Sequence, residues 1–392
     1  MDKVRFGVVG IGNMGSSHCK WLDGGEVKNA VLSAACDINP LKIENIKKQL
    51  KHPEAVKFYS DAETMFKSGD VDAVIIAVPH YDHPRLSIAA LDAGLNVVCE
   101  KPAGVYTKQV KEMNARAAKS DKIFALMFNQ RTNPVFKKMR EMVASGAIGN
   151  VKRTNWIITN WYRSQSYYDS GSWRATWAGE GGGVLFNQAP HNIVLFQWIT
   201  GMMPSSVRSF CHFGKWHDIE VEDDVTAYFE YANGATGVFV TTTADTPGTN
   251  RFEIMGDGGK LVFDDGKLTY YKLKQNEREF NATYTGGFGE PGYDSEVITV
   301  EDDSRPQHVR VLNNVANAIL GLEPLYIDGK EGIRGVELAD AMLLSTWIDK
   351  KIDFPIDDEL YYNELSKRIA TSRLKTTDEK VLDTEGTYGN KK

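Results

Sequence analysis

The 392-residue sequence has few cysteines and no long apolar segment. Its four cysteines, Cys19, Cys36, Cys99 and Cys211, are scattered and never form a CxxC pair. This pattern indicates reduced thiols and argues against a disulfide framework or a cysteine-based zinc site. No apolar run approaches the roughly 20 residues that span a bilayer, and no signal peptide is visible at the first residues. We therefore expect a cytoplasmic protein without a membrane anchor.

Basic residues are also in deficit, because 46 lysines and arginines oppose 52 acidic residues and leave a net charge of −6. Such a chain does not attract a phosphate backbone or an anionic lipid surface, so neither nucleic acid nor membrane is an expected partner. What is present, 42% hydrophobic and 25% charged residues, is typical of a soluble globular enzyme. The length suits two domains.

Short apolar runs alternate with amphipathic stretches in the first third of the chain. The runs are Val4–Val9, Val31–Cys36, Ala73–Val78, Asn96–Cys99 and Ile123–Phe128. Helix-like stretches lie between them near 15–22, 40–51, 82–94 and 107–120. Buried strands that alternate with helices predict βαβ units and a parallel sheet. We expect an α/β Rossmann domain over residues 1–128.

The pattern changes after Asn129. A helix near 133–145 precedes longer alternating strands at 151–160, 205–213, 224–231, 235–243, 250–256, 259–264 and 267–273. Between consecutive strands, Asn233-Gly234, Asp257-Gly258 and Asp265-Gly266 predict type I′ hairpins. We expect an α+β domain with a large open antiparallel sheet over residues 129–375, including helices near 306–320 and 332–351. A polar tail follows at 376–392.

The first predicted strand ends in a GxGxxG pattern, Gly10-Ile11-Gly12-Asn13-Met14-Gly15. Its glycines permit a tight turn, close approach of a pyrophosphate and packing of the next helix, whose N-terminus binds the phosphates. Asp37 lies 22 positions after Gly15, where a carboxylate binds the ribose hydroxyls; its alternative role is the N-cap of the next helix. Because that carboxylate repels a 2′-phosphate and Ile38 offers no cation, the pattern predicts NAD over NADP.

Further motifs follow along the chain. They are Ala77-Val78-Pro79-His80-Tyr81-Asp82-His83, Leu91-Asp92-Ala93-Gly94, Cys99-Glu100-Lys101-Pro102, Gly146-Ala147-Ile148-Gly149, and the segment from Gly181-Gly182-Gly183 to His191. With GxGxxG, they resemble the Gfo/Idh/MocA family, the glucose–fructose oxidoreductase and inositol dehydrogenase group, from about Val4 to Ile356. The resemblance implies oxidation or reduction of a carbinol on a sugar or cyclic polyol with NAD(P). It also implies a Rossmann domain followed by an α+β domain with an open antiparallel sheet.

Lys101 and His191 are the expected catalytic residues, and both are also expected to contact substrate. Lys101 follows a strand at the ligand-binding edge, where its ammonium can stabilise an alkoxide; the alternative is a surface salt bridge with Glu100. His191 is the expected general base because imidazole titrates near working pH; the alternative is a core histidine. Asn187 and Val194 stand where the family often has Asp. Asn187 is therefore expected to position a substrate hydroxyl and not to accept a proton.

The expected cofactor-binding residues lie in the glycine loop and at the ends of later strands. They are Gly10, Gly12, Asn13, Met14, Gly15, Asp37, Ile38, Pro79, His80, His83, Glu100, Lys101 and Asn129. For His80 and His83 a structural role is the alternative. The other histidines, His18, His52, His212, His217 and His308, belong to no motif, and no histidine spacing predicts a metal site.

An aromatic and arginine-rich stretch precedes the glycine run of the second domain. It contains Trp161, Tyr162, Arg163, Tyr167, Tyr168, Trp173, Arg174 and Trp177. Aromatic faces stack on pyranose rings and arginine binds hydroxyls, so the stretch predicts contact with a sugar or glycoside, Arg163 and Trp173 foremost. The alternative is a subunit interface or a core plug.

The sequence therefore predicts an NAD-dependent dehydrogenase that oxidises a secondary ring hydroxyl, preferably at C3, of a sugar, cyclic polyol or glycoside. An NAD-dependent glycosidase with a transient 3-keto intermediate, a non-catalytic sugar or NAD sensor, and an enzyme for a non-sugar carbonyl are the alternatives. Because the predicted helices are too few to cover both faces of the second sheet, we expect a homodimer or homotetramer.

Overall fold

A computed structural model describes residues 3–376 and contains two sheets of different class. The strands of the first sheet are β1 (Val4–Val9), β2 (Ala30–Cys36), β3 (Lys57–Tyr59), β4 (Ala73–Ile76), β5 (Asn96–Cys99) and β6 (Phe124–Leu126). All pair in parallel, in the order β3-β2-β1-β4-β5-β6. The connecting helices are α1 (Asn13–Asp23), α2 (Pro40–Lys47), α3 (Ala62–Lys67), α4 (Asp82–Asp92) and α5 (Thr107–Ala117). The predicted Rossmann-type parallel sheet is confirmed.

The central strands of this sheet are buried on both faces. Every residue of β4 is buried, and the apolar run is continuous because helices cover both sides of a parallel sheet. The strand order reverses between β1 and β4, so the loops after these two strands run in opposite directions and leave a crevice at their carboxyl ends. The glycine loop and the segment at Pro79 and His80 therefore meet at this crevice.

The second sheet has nine strands and is mostly antiparallel. They are β7 (Val151–Ile158), β8 (Ser206–Phe213), β9 (Glu222–Glu230), β10 (Thr236–Thr242), β11 (Asn250–Gly256), β12 (Gly259–Asp264), β13 (Lys267–Leu273), β14 (Tyr293–Ile298) and β15 (Ile352–Asp353). The order is β14-β13-β12-β11-β7-β10-β9-β8-β15. The central β7 and β10 pair in parallel, which their long connection permits. The sheet is thus mixed, not wholly antiparallel as its hairpins predict.

Seven α-helices follow the parallel sheet within residues 3–376. They are α6 (Pro134–Ala144), α7 (Gln165–Tyr168), α8 (Pro190–Thr200), α9 (Glu277–Thr283), α10 (Gln307–Ile319), α11 (Gly332–Trp347) and α12 (Asp358–Ile369). Helix α11 contacts α5 of the first half as well as α8 and β8. Helix α11 therefore contacts elements of both domains, and the crevice lies between the two sheets.

Several short or buried elements were not predicted. These are β3, α3, α7, α8, α9, β14, β15 and α12. Helix α8 has no amphipathic period because all but one of its residues are buried. Of the three predicted type I′ turns, only Asp265-Gly266 has positive φ at both residues, 44° and 95°; at Asn233-Gly234 only the glycine does, and at Asp257-Gly258 neither does. The predicted tail lies outside the described residues apart from its first, residue 376.

The outer face of the second sheet carries exposed apolar side chains. Ile157, Phe210, Tyr228 and Met255 lie on neighbouring strands and point away from the helices, Phe210 with 55% of its surface exposed. Within residues 3–376, no helix combines the length and apolarity needed to cross a bilayer.

Candidate active site

The glycine loop between β1 and α1 has the shape of a dinucleotide cradle. Gly10 has φ +89°, and a Cβ there would lie 2.5 Å from the carbonyl oxygen of Ala77. A Cβ on Gly15 would lie 1.8 Å from the carbonyl oxygen of Gly10, so the helix packs against the loop only without a side chain. Around Gly12 the space is open to 4 Å. This backbone is therefore accessible to a pyrophosphate.

The N-terminus of α1 is suited to an anion. Its N-cap, Gly12, provides no side-chain cap, and the first turn, which begins with Asn13 and Met14, contains no acidic residue. The N–H groups and the positive end of the helix dipole thus have no competing carboxylate. The residues present fit the phosphates of a dinucleotide.

Asp37 is held against this loop. One carboxylate oxygen accepts a hydrogen bond of 2.7 Å from the backbone N–H of Ile11, and the other accepts one of 2.8 Å from Asn39. The N-cap of α2 is Asn39, which accepts from the N–H of Leu41, so the N-cap alternative for Asp37 is wrong. Ile38 beside it is 89% exposed. An acid and an apolar side chain therefore border the loop where a ribose and an adenine fit.

The two histidines after β4 have different surroundings. The ring nitrogens of the buried His83 lie 2.7 Å from the carbonyl oxygen of Pro102 and 2.8 Å from that of Val78. A neutral imidazole has one N–H and donates to one of these two carbonyls. The ring still lies between the two loops, which favours the structural alternative for His83. His80 is also buried, and its Nδ1 lies 3.3 Å from the carbonyl oxygen of Glu180. His80 thus links the loop after β4, where Pro79 is exposed, to the second domain.

Glu100 is a buried carboxylate with fixed partners. One oxygen lies 2.8 Å from Nε2 of His18, and the other accepts from the backbone N–H of Lys101 at 3.2 Å. Burial alone would raise the pKa of Glu100, but the hydrogen bond and charge of His18 lower it to about 2. His308 packs edge-on against His18. This cluster could not be predicted from the sequence, because His18 and His308 are 290 positions apart in the chain.

Lys101 reaches from the end of β5 into the second domain. Its Nζ donates a hydrogen bond of 2.7 Å to the backbone carbonyl of Asn187. Because the Glu100 carboxylate is engaged with His18, the alternative of a surface salt bridge for Lys101 is not observed. Burial lowers the pKa of Lys101, the charges of Glu100 and Glu180 oppose this, and Arg163 adds to the lowering. One of the three N–H groups of the ammonium is engaged with Asn187, which leaves two that can donate to a ligand at the domain boundary.

His191 is the second residue of α8, directly after Pro190. Its Nδ1 is buried and has no hydrogen-bond partner among residues 3–376. Burial, with a contribution from the Lys101 charge, lowers the pKa of His191 to about 3. The direction of this shift departs from the titration near working pH that the sequence predicts, and it favours the neutral imidazole, the form that accepts a proton.

The side chain of Asn187 is hydrogen-bonded at both ends. Its Nδ2 donates to a carboxylate oxygen of Glu180, and its Oδ1 accepts from the hydroxyl of Tyr167 at 3.3 Å. Glu180 is 1% exposed, and burial raises its pKa. Glu180 was not predicted to be a site residue, although it directly precedes the glycine run of the family motif.

The aromatic stretch divides between the core and the site. Tyr168 and Trp177 are buried, as the core-plug alternative requires. The guanidinium of Arg174 stacks between Tyr167 and Trp173, 4.8 Å and 4.6 Å from the ring centroids, and donates to the Tyr167 hydroxyl at 3.1 Å. Trp173 in turn packs edge-on against His80. Part of the stretch thus forms a polar aromatic wall beside the loop after β4.

Arg163 lies on the same wall, with its guanidinium 5.2 Å from the Tyr167 ring. Asn129 lies after β6, where it donates to Gln307 at 3.2 Å while its Oδ1 is buried without a partner among the described residues. Across residues 3–376, no group of three or more His, Cys, Asp or Glu is arranged to hold a metal ion.

Comparisons with known proteins agree with this geometry. Residues 4–128 match the oxidoreductase family with an NAD-binding Rossmann fold, and residues 136–262 match the GFO/IDH/MocA C-terminal domain. Myo-inositol 2-dehydrogenase of Thermotoga maritima is 26% identical over 336 residues, which cover 84% of this chain and 92% of the relative. Levoglucosan dehydrogenase of Pseudarthrobacter phenanthrenivorans is 26% identical over 258 residues, 58% of this chain and 65% of the relative.

A solved structure extends the likeness to the whole fold. The WlbA dehydrogenase of Chromobacterium violaceum, in complex with NADH and UDP-GlcNAcA, superposes with a TM-score of 0.76 at 26% identity, covering 91% of this chain and 97% of the other. The cofactor is NAD, in agreement with Asp37 beside the glycine loop. The chain belongs to the Gfo/Idh/MocA family of NAD-dependent oxidoreductases.

Proposed function

We propose that this oxidoreductase oxidises a secondary ring hydroxyl, with C3 preferred, of a sugar, cyclic polyol or glycoside. Residues 1–128 hold the cofactor and residues 129–375 hold the substrate. The observation that carries the proposal is the meeting of a lysine ammonium and a neutral imidazole at the boundary of the two domains. Lys101 acts electrostatically on His191 and is hydrogen-bonded to the segment that precedes it.

Oxidation of an alcohol requires a proton acceptor and stabilisation of the oxygen that loses the proton. The neutral imidazole of His191 accepts the hydroxyl proton. The ammonium of Lys101 donates to the same oxygen and offsets its developing negative charge. When bound, NAD accepts the hydrogen and the electron pair that leave the carbon.

The residues that hold the cofactor come from the loops after β1, β2, β4 and β6. The backbone of Gly10, Gly12, Asn13, Met14 and Gly15 binds the pyrophosphate, and Asp37 with Ile38 binds the adenosine. The loop at Pro79 and His80, together with Asn129, lies at the carboxyl ends of β4 and β6 and borders the nicotinamide end. The charge of Glu100 favours the protonated form of Lys101 and opposes the effect of burial.

The aromatic wall supports a polyhydroxylated substrate. Trp173 offers a ring face for the C–H face of a sugar, and Arg163 and Arg174 offer guanidinium N–H groups for hydroxyls. Asn187 has one N–H and one oxygen lone pair beyond its present bonds, enough to position one hydroxyl. Inositol and levoglucosan, which appear in the names of two relatives, belong to this chemical class.

The test is a screen for NADH formation over monosaccharides, inositols, 1,6-anhydrosugars and glycosides, with the oxidised carbon identified by NMR. Oxidation at a ring carbon of at least one of them supports the proposal, and a 3-keto product supports the preferred position. Release of an aglycone without net NADH would identify a glycosidase instead. Saturable sugar binding without turnover in either direction would identify a sensor.

A further inference from the structure

Lys101 is a cation at the boundary between two domains, and the carboxylates that act on it most strongly are those of Glu100 and Glu180. Glu100 is already engaged with His18. Glu180 is connected to the lysine through Asn187, which accepts from Lys101 through its carbonyl and donates to Glu180 through its amide. The Glu180 carboxylate thus contacts both its own loop, through Ala175, and the site, through Asn187.

The hydrogen bonds of Glu180 define which way the Asn187 amide points. One carboxylate oxygen accepts from the N–H of Ala175 at 2.6 Å, and the other accepts from Nδ2 of Asn187. A carboxylate has no N–H or O–H to donate, so only the amide nitrogen can face it. The Asn187 oxygen must then face Tyr167, as it does.

From this arrangement we propose that Glu180 is a positioning residue: it fixes the orientation of the Asn187 amide and provides, across Asn187, a carboxylate charge that faces Lys101. The inference rests on the proposed dehydrogenase function, because it assigns Lys101 and Asn187 to the site. Asn187 and Glu180 then act together as one hydrogen-bonded acid–amide pair. Glu180 provides the negative charge of this pair, and Asn187 contacts the substrate.

The other charged and titratable groups around Glu180 agree with a charged role. Arg174 and Lys101 act on it as cations, while Glu222 lies near enough to repel it. The ring of His80 contacts the Glu180 carbonyl and not its carboxylate. Burial raises the pKa of Glu180, and the two cations oppose that rise.

The pair permits an exchange of its two polar groups. In Glu180→Gln, the new amide faces two N–H donors, from Ala175 and Asn187, but has only one oxygen to accept them. In Asn187→Asp, two carboxylates face each other without a donor between them. In the double variant Glu180→Gln/Asn187→Asp, the glutamine oxygen accepts from Ala175 and its NH₂ donates to the aspartate, so every group has a partner and the net charge is that of the wild type.

The expected result is a loss in the single variants and a recovery in the double variant. Each single change should lower kcat/KM by about tenfold or more, the consequence of one unsatisfied buried group, and the double change should return it to within about threefold of wild type. Glu220→Gln is the matched control. Glu220 binds the N–H of Trp177 in the same stretch but is not among the groups that act on Lys101, so kcat/KM should stay near wild type. A double variant no more active than its worse parent would overturn the proposal.

A second readout does not need turnover. The protonation of Lys101 can be followed by NMR in protein labelled at lysine Cε, with Lys101→Arg used to assign the signal. The Lys101 midpoint should fall in Glu180→Gln and return in the double variant, whereas Glu220→Gln should leave it unchanged. A midpoint that is equal in all four proteins would show that Glu180 only supports the loop. If wild type oxidises no compound in the screen, the proposed function fails while this titration still decides the role of Glu180.

Discussion

The Nζ of Lys101 donates a 2.7 Å hydrogen bond to the backbone carbonyl of Asn187 and not to the Asn187 side chain. This bond joins the end of β5 to the segment that leads into α8, and so connects the first domain to the second. Because the acceptor is a backbone atom, it persists when the side chain at 187 is changed. Changes at 187 and 101 therefore test different parts of the site.

Removal of the Lys101 charge should abolish most turnover. We expect Lys101→Met to lower kcat by about 10²–10⁴-fold, since the oxygen that loses its proton is no longer stabilised by an ammonium. Lys108→Met is the control, because Lys108 is an exposed lysine whose partner is Glu359 on α12, and it should keep near-normal turnover. Near-normal kcat in Lys101→Met on the true substrate would contradict the assignment.

NADH should bind more tightly than NADPH. The carboxylate of Asp37 accepts from the N–H of Ile11, which holds its negative charge beside the glycine loop, where a 2′-phosphate would be repelled. In Asp37→Ser/Ile38→Arg the repulsion is gone and a guanidinium is present, so the ratio of the two dissociation constants should reverse. Asp37→Asn, which removes only the charge, should give an intermediate ratio. Fluorescence titration with each reduced cofactor measures this, and tighter NADPH binding by wild type would contradict the prediction.

The fold could largely be predicted from local patterns, whereas the site could only partly be. The strands at Val4–Val9 and Asn96–Cys99 have the predicted bounds, because short apolar runs rich in β-branched residues leave few alternatives. Helix α8, which carries His191, was missed because burial on all sides removes the periodicity that predicts a helix. The link between Glu180 and Lys101 through Asn187 and the lowered pKa of His191 both depend on tertiary packing. No residue spacing contains that information.

Substrate affinity should depend on the aromatic wall. Arg174 stacks between Tyr167 and Trp173 and donates to the Tyr167 hydroxyl, so Arg174→Met should raise KM by about tenfold or more while kcat falls less. Trp173→Ala should act in the same direction by loss of the stacking face. Arg208→Met is a matched control, because Arg208 lies over Phe210 on the distant face of the second sheet. A fall in kcat at unchanged KM would show that the wall supports the catalytic residues and does not bind sugar.

The chain should form a homodimer or homotetramer through the outer face of the second sheet. Ile157, Phe210 and Tyr228 expose apolar surface on neighbouring strands there, and an uncovered apolar face of this kind is typical of an interface between copies. Light scattering at micromolar concentration should give a multiple of the monomer mass. Phe210→Lys should shift wild-type oligomers toward monomer, whereas Leu322→Lys, an exposed leucine outside the sheet, should not. A wild-type monomer would contradict the prediction.

The pH profile should have an alkaline limit and no acid limit near the ordinary histidine pKa. Burial lowers the pKa of His191 to about 3 from 6.5, so the imidazole stays neutral and able to accept a proton through the whole range near neutrality. Lys101 must be protonated to stabilise the substrate oxygen, so kcat/KM should fall as pH rises through its pKa, which burial places below 10.5. Measurement of kcat/KM with wild type and Lys101→Arg checks both limbs. The arginine stays charged, so any activity it retains should lack the alkaline limb. An acid limb near pH 6.5 that disappears in His191→Asn would show instead that His191 titrates near neutrality, as the sequence alone predicts.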